Sequence, residues 1–381
     1  MSGRISVVIP TKNEENSIGI CIQKIQKVFN KHHIDGEIIV ADNSTDNTAE
    51  IAKGMGAKVI VPEEHGYGNA YRFGFARASG DYIVMGDGDN TYDFMDIPRL
   101  LEPLKRGEAD LVLGSRFKGE IKKGAMPWHH RYIGNPFLTW IFNMANKSNL
   151  SDTHSGFRAF TRDAYEKIRM DLKTTGMEFA SEMLEVAIKN DLRIAEVPIT
   201  YYPRPEESEP NLNSFLDGWR HLKHILLRAP TLLFLIPGLI LFVLGLLLVL
   251  LIWAPFNLWS VRLGVHSMIA GCLLAVVGYQ IIFLGLFAKT YGVHHGTGKR
   301  DKITEFIGKH VTLGRGATAG LAVFLAGFVF ALKMLMNWVS SGYADLPLID
   351  QDIAAFTLLV IGLQTIFYSF FLSVIGGGSE G

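Results

Sequence analysis

The pattern of apolar and polar residues divides the chain into two regions. Through residue 210, short apolar runs alternate with stretches in which apolar residues recur every three or four positions. The runs predict strands and the periodic stretches predict helices. The predicted strands are residues 5–9, 37–41, 57–61, 82–85 and 111–113, and the predicted helices are residues 16–29, 46–55 and 67–78. This alternation indicates an α/β domain with a mostly parallel sheet and helices on both faces.

Long apolar windows dominate the rest of the chain. Four of them are long enough to cross a hydrocarbon core of about 30 Å, which takes about 20 helical residues. They are residues 231–253, 266–287, 317–336 and 353–375. Buried core helices are the alternative, but residues 246–251 are an unbroken apolar run with no polar face. We therefore predict an all-α, four-helix transmembrane domain.

The distribution of positive charge predicts the orientation of these spans. Basic residues precede the first span and fill the loop between the second and third: Arg220, Lys223, Arg228, Lys289, Lys299, Arg300, Lys302, Lys309 and Arg315. The loop after the first span has only Arg262, and the loop after the third carries Asp345, Asp350 and Asp352 instead. The first domain, the middle loop and the C-terminus are therefore predicted to be cytoplasmic.

An amphipathic segment connects the two regions. Phe215, Trp219, Leu222 and Leu226 recur at helical spacing over residues 214–228, and the basic residues lie off that stripe. This favours a helix in the membrane interface over an ordinary domain helix. The predicted domains are residues 1–210, an interfacial helix at 211–229, a membrane domain at 230–375, and a linker or tag remnant at 376–381.

Composition limits the classes of function. Lys plus Arg and Asp plus Glu both number 37, so no basic field indicates binding to nucleic acid. Cys21 and Cys272 do not form a disulfide framework, as is typical of a reducing cytoplasm. The adjacent histidine pairs at 32–33, 129–130 and 294–295 predict no metal site, because neighbouring side chains face different ways.

Asp87-Gly88-Asp89 follows a predicted strand directly. Two carboxylates in one turn can face one hard cation, and Mg²⁺ or Mn²⁺ often shares such ligands with substrate phosphates. Gly88 leaves room for a diphosphate. By spacing alone, a metal site and a simple turn are equally good interpretations. The position favours the site, because ligands of parallel sheets bind beyond the carboxyl ends of the strands.

Other polar residues follow the predicted strands. Asp42 begins the run from 42 to 48, whose members also suit a helix cap. At the tip of a strand, Asp42 is placed to accept hydrogen bonds from a nucleobase or ribose. Arg116 follows the strand at 111–113, and Arg131, Arg158 and Arg204 come later. Arginine binds phosphate through its planar fork, although any one of these could be a surface charge.

Taken together, these residues resemble glycosyltransferase family 2 with its GT-A fold, a Rossmann-like α/β domain. The similarity is greatest to polyprenyl-phosphate glycosyltransferases such as dolichyl-phosphate mannose and glucose synthases. It covers residues 4–210. The motifs are Ile9-Pro10-Thr11-Lys12-Asn13-Glu14-Glu15, residues 42–48, Gly66-Tyr67-Gly68-Asn69-Ala70, residues 87–93, Gly114-Ser115-Arg116-Phe117 and Ser155-Gly156-Phe157-Arg158.

The resemblance implies roles for particular residues. Asp87 and Asp89 would bind Mg²⁺ or Mn²⁺ and, through it, the donor diphosphate, and the catalytic residues would be Asp89, Arg116 and Arg131. The acceptor phosphate would contact Arg116, Arg131, Ser155 and Arg158. The nucleotide sugar would contact Pro10, Thr11, Glu14, Asp42, Asp46, Gly68, Asp87, Gly88, Asp89 and Arg204.

Three positions depart from the family pattern. Ala41 stands where a second acid is common at the second strand tip, and Thr91 stands where many members have Gln. Residues 207–211 replace a short Ser-Lys loop and contain no Lys. Thr91 weakens any claim that its position ligates metal, and the changed loop predicts a different closure over the donor.

The predicted reaction is transfer of mannose or glucose from a GDP- or UDP-linked donor to a polyprenyl phosphate, with inversion. A phosphate monoester has a second pKa of about 6, so it needs no dedicated base. Asp89 would serve as a base only in a variant mechanism. The alternatives are a processive polysaccharide synthase and a non-catalytic membrane scaffold. Asp217-Gly218-Trp219-Arg220 lacks the Gln-x-x-Arg-Trp order of the synthases. The sequence leaves open whether the four-helix bundle forms homo-oligomers.

Overall fold

The computed structural model describes residues 3–205, 214–253, 264–295, 300–344 and 350–376. The chain forms two compact units that divide between Ile225 and Leu226. Several sequence predictions concern residues outside the described ranges. They are the loop at 207–211, the charges of Arg262, Lys299 and Asp345, and the tail at 377–381.

The first unit is built on a seven-stranded sheet in the order β3-β2-β1-β4-β6-β5-β7. Strand β6 runs antiparallel to its neighbours β4 and β5, and the other pairs are parallel. The strands are β1 (Ile5–Thr11), β2 (Gly36–Asp42), β3 (Lys58–Ile60), β4 (Tyr82–Met85), β5 (Leu111–Ile121), β6 (Arg158–Thr161) and β7 (Ile194–Tyr201). This confirms the predicted α/β class with a mostly parallel sheet.

Helices connect the strands and continue the chain after β7. They are α1 (Ile18–His32), α2 (Thr48–Gly54), α3 (Tyr67–Phe75), α4 (Ile97–Lys105), α5 (Asn135–Asn146), α6 (Arg162–Ile168), α7 (Phe179–Lys189) and α8 (Ser214–Arg228). A 3₁₀ turn (Phe94–Asp96) precedes α4, and a π-helical turn (His130–Gly134) precedes α5. The apolar face of α1 is fully buried through Ile18, Cys21, Ile22, Ile25 and Val28.

Two predicted strands end later in the structure than in the sequence analysis: β5 continues to Ile121 and therefore contains Arg116, and β1 continues past Pro10. The sequence predicts that Pro10 ends this strand, but β1 continues through Thr11 and pairs Pro10 with Ala41. Strand β4 pairs with β1 only as far as Val8. Beyond that point β1 has a ladder partner on one side, and such a position tolerates the missing N–H of proline. The extension places Thr11 beside Asp42 at the end of the sheet.

The second unit contains the predicted apolar helices. They are α9 (Ile236–Trp253) after a π-helical turn (Thr231–Leu235), α10 (Val265–His294), α12 (Leu313–Ser340) and α13 (Asp350–Ile375), with a short α11 (Lys302–His310) between α10 and α12. Among the described residues, four helices have the length and hydropathy to cross a bilayer, with mean hydropathies from 2.1 to 3.1. All four correspond to predicted spans.

Glycines allow these helices to pack in pairs. A Cβ at Gly278 of α10 would lie 2.3 Å from the backbone nitrogen of Phe242, and one at Gly245 of α9 would lie 2.4 Å from that of Ala275. Gly362 of α13 is equally close to Phe324 of α12. Such small-residue contacts are typical of helices in membranes, where close packing replaces hydrophobic burial as the driving force.

Candidate active site

The carboxyl ends of the parallel strands bring the predicted polar residues together. Thr11 and Asp42 end β1 and β2, and the acidic turn at 87–89 follows β4. Because β6 is antiparallel, the segment that leads into it lies at this same edge. A Cβ at Gly156 would lie 3.0 Å from Asp87 Oδ2 and 2.7 Å from the Tyr67 hydroxyl. Only glycine therefore fits beside the acidic turn.

Asp42 lies buried at the tip of β2. Its Oδ1 accepts hydrogen bonds from the hydroxyls of Thr11, at 2.6 Å, and Ser44, at 2.5 Å. Asp46 has a different environment, because its Oδ1 accepts from the hydroxyl and amide of Thr48. Thr48 Oγ1 in turn accepts the amide of Glu14 at 2.9 Å. Asp46 thus fixes the loop that follows β1.

Glu14 is buried and connects this loop to the acidic turn. The Ser17 hydroxyl lies 2.9 Å from Glu14 Oε2 and 2.7 Å from the carbonyl oxygen of Gly88. Burial raises the pKa of Glu14 to about 7, helped by the negative charge of Asp89 and only partly offset by the hydrogen bond from Ser17. Glu14 therefore changes charge near neutral pH.

Two tyrosines of α3 hold Asp87. The hydroxyls of Tyr67 and Tyr71 both donate to Asp87 Oδ1 at 3.0 Å. Burial raises the pKa of each tyrosine well above its ordinary value, so both stay protonated and donate. Burial also raises the pKa of Asp87 to about 6, and the charge of Asp89 adds to this effect. The carboxylates of Asp87 and Asp89 repel each other in this buried turn, and a bound cation would relieve that repulsion.

Asp89 has its own partners. The amide and the hydroxyl of Thr91 donate to Asp89 Oδ1 at 3.0 and 2.6 Å. On the other oxygen, Oδ2, Asp89 forms an ion pair of 2.6 Å with Arg204 Nη2. Thr91 thus orients Asp89, and Arg204 supplies the positive charge that this carboxylate faces.

The residues present fit a divalent cation. Both tyrosine hydroxyls contact Oδ1 of Asp87, and the missing side chain of Gly156 keeps space next to Oδ2. Oxygen ligands of this kind suit Mg²⁺ or Mn²⁺, which complete their shell with water and substrate phosphate. Among the described residues, no group of three or more His, Cys, Asp or Glu side chains is arranged to bind a metal. The two aspartates would therefore provide the protein ligands.

Arg116 forms a buried ion pair with Asp152, a residue that sequence reasoning missed. Its Nε and Nη2 donate to the two carboxylate oxygens, each at 2.7 Å, and its backbone amide donates to Oδ2 at 3.0 Å. Asp152 has no exposed surface. Burial alone would lower the pKa of Arg116, but the carboxylate of Asp152 outweighs this and raises it. Its predicted contact with the acceptor phosphate stays a prediction.

Arg158 is fully buried at the start of β6. It donates from Nε to the carbonyl of Ser155 at 2.9 Å and from Nη2 to that of Thr153 at 3.2 Å. Burial lowers the pKa of Arg158 to about 10. These contacts support the turn that carries Ser155, which is also buried. For both residues, a direct contact with substrate stays a prediction.

Four other predicted site residues differ in burial and in the contacts that they make. Arg131 is half-buried and donates to the carbonyl of Ile121 at 3.4 Å. Gly68 packs so closely that a Cβ would lie 2.4 Å from the carbonyl of Thr174. Gly88 is next to Thr11, where a Cβ would lie 2.7 Å from Cγ2. Pro10 is half-buried in β1. The geometry thus gives Gly68 a packing role.

Removing one tyrosine hydroxyl tests how Asp87 is held. We expect Tyr71→Phe to weaken Mn²⁺ binding roughly 10-fold, the lower end of the cost of losing a group that orients a metal ligand. The change raises the pKa of Asp87 further, because one hydrogen bond to the carboxylate is lost. Electron paramagnetic resonance of free Mn²⁺ measures the affinity. Tyr165→Phe, a change in a tyrosine that packs on Phe75 and Phe160, is the control. Equal affinities in both variants would contradict this role.

Comparison with known proteins identifies the class. Residues 6–169 match the model of Glycosyl transferase family 2, and residues 286–376 match that of the Glycosyltransferase family 2 C-terminal transmembrane region. The low-salt glycan biosynthesis hexosyltransferase Agl6 of Haloferax volcanii is 45% identical over 372 residues, which cover 98% of this chain and 89% of that protein. The chain therefore belongs to glycosyltransferase family 2 and is an integral membrane protein with a GT-A domain.

Other similar proteins match a little more than half of the chain. The dolichyl-phosphate hexose transferase of the same organism is 33% identical over 216 residues, 56% of this chain and 89% of that protein. Among solved structures, glucosyl-3-phosphoglycerate synthase from Mycobacterium tuberculosis with Mn²⁺, UDP-glucose and phosphoglyceric acid is 26% identical. It covers 59% of this chain and 79% of its own, with a TM-score of 0.48.

Proposed function

We propose that this protein transfers a hexose from a nucleotide-diphosphate sugar to a polyprenyl phosphate, with inversion at the anomeric carbon. The observation that carries the proposal is the Asp87–Asp89 turn at the carboxyl end of β4, with two tyrosines on one acid and Arg204 on the other. The relatives named for hexosyl transfer support the sugar class, and the dolichyl-phosphate hexose transferase supports the acceptor class.

On the donor side, the nucleoside would lie along Asp42, which ends β2, and Glu14, which follows β1. A divalent cation on Asp87 and Asp89 would stabilise the charge of the leaving diphosphate. Arg204, which faces Asp89, would contact the same diphosphate. Thr91 orients Asp89, and Arg204 faces it as a cation, so its proposed role is to bind positive charge.

On the acceptor side, the nucleophile brings its own charge. A phosphate monoester is largely ionised near neutral pH, so the enzyme must position an anion and has no proton to remove. Arg131 and Arg116 are the proposed contacts, with the fork of Arg116 oriented by Asp152. We also propose that the first unit lies on the cytoplasmic side, because basic residues flank the first span and fill the loop before the third.

A panel of donors and acceptors tests the proposal. The purified full-length protein is incubated with radiolabelled UDP- and GDP-linked glucose and mannose, Mn²⁺, and short polyprenyl phosphates. We expect one donor to label a lipid that is extracted into organic solvent, and NMR of the product to show the inverted anomer. A labelled polymer would instead favour the processive synthase, and a retained anomer would contradict the single displacement.

The raised pKa of Glu14 predicts a pH dependence of donor binding. As the pH rises from about 6 to about 8, Glu14 ionises and adds a negative charge near Asp89 and the anionic donor. We expect the affinity for the nucleoside diphosphate to fall across this range in the wild type and to fall less in Glu14→Gln, which cannot titrate. Calorimetry at each pH measures the affinity. Identical slopes in both proteins would contradict the prediction.

A further inference from the structure

Strand β5 carries a bulge beside β7. The two strands pair as far as Ser115 and again from Glu120, so residues 116–119 stand opposite Ile199 alone. A bulge of this kind bends its strand and re-aims a side chain, and bulges are common next to active sites. We call residues 116–119 the β5 bulge. Arg116 is its first residue, so the geometry of the bulge decides where this guanidinium points.

Glu196 of β7 contacts both the β5 bulge and the loop before Asp152. Its Oε2 pairs with Lys118 Nζ at 2.7 Å. Its Oε1 accepts hydrogen bonds from the amide and the hydroxyl of Ser151, both at 2.8 Å. The side chain of Glu196 is only 4% exposed. Lys118 shares the bulge with Arg116. Ser151 directly precedes Asp152, so Glu196 connects the two sides of this buried ion pair.

Two serine hydroxyls add a second connection. Ser115 Oγ lies 2.6 Å from Ser151 Oγ and accepts the amide of Lys118 at 3.1 Å. At the other end of the bulge, Gly119 packs directly on β7, where a Cβ would lie 2.0 Å from the carbonyl oxygen of Ile199. The β5 bulge is therefore fixed at both ends, and the loop at Ser151 is fixed against it.

Arg116 meets Asp152 through both its backbone and its side chain. The bulge takes the Arg116 amide out of the β5–β7 ladder, and this amide donates to Asp152 Oδ2 at 3.0 Å. Nε and Nη2 donate to the carboxylate, which leaves the Nη1 edge of the planar guanidinium to meet an anion. The Tyr201 ring lies on one face of the guanidinium, with its centroid 5.2 Å from Cζ. The distance between the bulge and the loop therefore sets the direction of the Nη1 edge.

We infer that Glu196 is a positioning residue for Arg116. By holding Lys118 and Ser151 together, its carboxylate fixes the bulge against the loop and so aims the fork of Arg116 at an anionic phosphate group. The inference rests on the proposed function, in which Arg116 contacts the acceptor phosphate. Because Lys118 is 49% exposed, its ion pair with Glu196 contributes little to folding stability, so a role in positioning accounts better for the buried carboxylate.

Steady-state kinetics of Glu196→Gln test this role in the full-length protein. Glutamine keeps the length of the side chain, but it has one acceptor oxygen and no charge for Lys118. We expect KM for a short polyprenyl phosphate to rise roughly 10-fold, because a misplacement of about 1 Å can cost about 100-fold. KM for the nucleotide sugar and the unfolding temperature should stay close to those of the wild type. Glu120→Gln, which removes the exposed partner of Lys122 on the same strand, is the matched control and should change neither KM.

Chemical modification of Arg116 gives a second readout that needs no transfer reaction. Phenylglyoxal reacts with guanidinium groups, and mass spectrometry of the peptide around residue 116 measures the rate. Arg116 is only 6% exposed, so we expect a slow reaction in the wild type and in Glu120→Gln, and a several-fold faster one in Glu196→Gln. Arg193, which is 57% exposed, gives the reference rate in each protein. Ser151→Ala should raise the rate at residue 116 by a smaller factor, because its amide still donates to Glu196.

These readouts separate the inference from the proposed function. If the wild type transfers no sugar to polyprenyl phosphate, the proposed function fails, and the modification rate still decides whether Glu196 positions Arg116. An unchanged modification rate in both Glu196→Gln and Ser151→Ala would overturn the inference. Equal rises in both KM values, together with a lower unfolding temperature, would also overturn it, since they would show a general structural role for Glu196.

Discussion

Replacement of Asp89 by asparagine is expected to reduce hexosyl transfer on the order of 10³-fold, since a preorganised charge at the leaving diphosphate is lost. Asparagine keeps the size of the side chain and can still accept hydrogen bonds from Thr91. It cannot neutralise a divalent cation or pair with Arg204. The rate of lipid product formation at saturating donor and Mn²⁺ measures the effect, and Asp87→Asn should behave alike.

The nearby Asp93 supplies the control. It accepts a hydrogen bond from the amide of Met95 and pairs with Lys24 at 3.4 Å. Asparagine is an equally good cap, so Asp93→Asn should keep most of the activity. Similar losses in Asp93→Asn and Asp89→Asn would show that any charge change in this loop is harmful, and would contradict the assigned role of Asp89.

The thermal stability of Asp87→Asn shows whether a loss of activity in this variant comes from lost chemistry or from misfolding. The pKa of Asp87 is raised from 3.8 to about 6, so between these pH values the folded protein retains a proton that the unfolded chain releases. Ionisation of Asp87 therefore lowers stability as the pH rises through this window, and the loss persists above it. Without metal at neutral pH, Asp87→Asn removes this cost and should unfold at the same or a higher temperature than the wild type.

The second large effect concerns the buried pair of Arg116 and Asp152. Asp152→Leu leaves the Arg116 guanidinium buried without its carboxylate, and such a loss costs about 3–5 kcal/mol of folding stability. Thermal unfolding of the protein in detergent measures the change. Glu102→Ala, which removes the partner of Arg106 in an exposed pair on α4, should have little effect.

The double variant Arg116→Met, Asp152→Leu distinguishes two roles of Arg116. Replacing both partners of a buried pair by apolar residues often restores stability. If the double variant is as stable as the wild type but inactive, Arg116 acts on the acceptor phosphate as the resemblance implies. If it is stable and active, the role of Arg116 is only structural, and Arg131 would remain the proposed phosphate contact.

The sequence predicts β1 to β5 and α1 to α3 because each has a clear apolar period, whereas it does not predict β7 or α4 to α7. It also predicts the acidic turn, because Asp87 and Asp89 follow a buried strand. The antiparallel β6 was not apparent, since Arg158-Ala159-Phe160-Thr161 is short and begins with a charge. That strand is the reason Gly156 lies beside Asp87, and no spacing in the chain indicates this contact.

The partners of the site residues could be predicted only in part. Tyr67 and Tyr71 are four residues apart in a predicted helix, so a common face for both hydroxyls was foreseeable, although their target was not. Asp152 lies 36 residues from Arg116 and just outside the motif at 155–158, so nothing in the sequence pairs the two. The same holds for the buried ring contact of His154 with His221, at 4.7 Å, which joins the loop before β6 to α8. Such pairs depend on how distant segments pack.

Binding of Mn²⁺ together with a nucleoside diphosphate tests the central claim, that Asp87 and Asp89 hold the donor through a divalent cation. Electron paramagnetic resonance can count bound Mn²⁺ in the full-length protein with UDP or GDP present. We predict one nucleotide-dependent Mn²⁺ per chain in the wild type and in Asp93→Asn, and its loss in Asp87→Asn and Asp89→Asn. Undiminished Mn²⁺ and nucleotide binding in the last two variants would contradict the account.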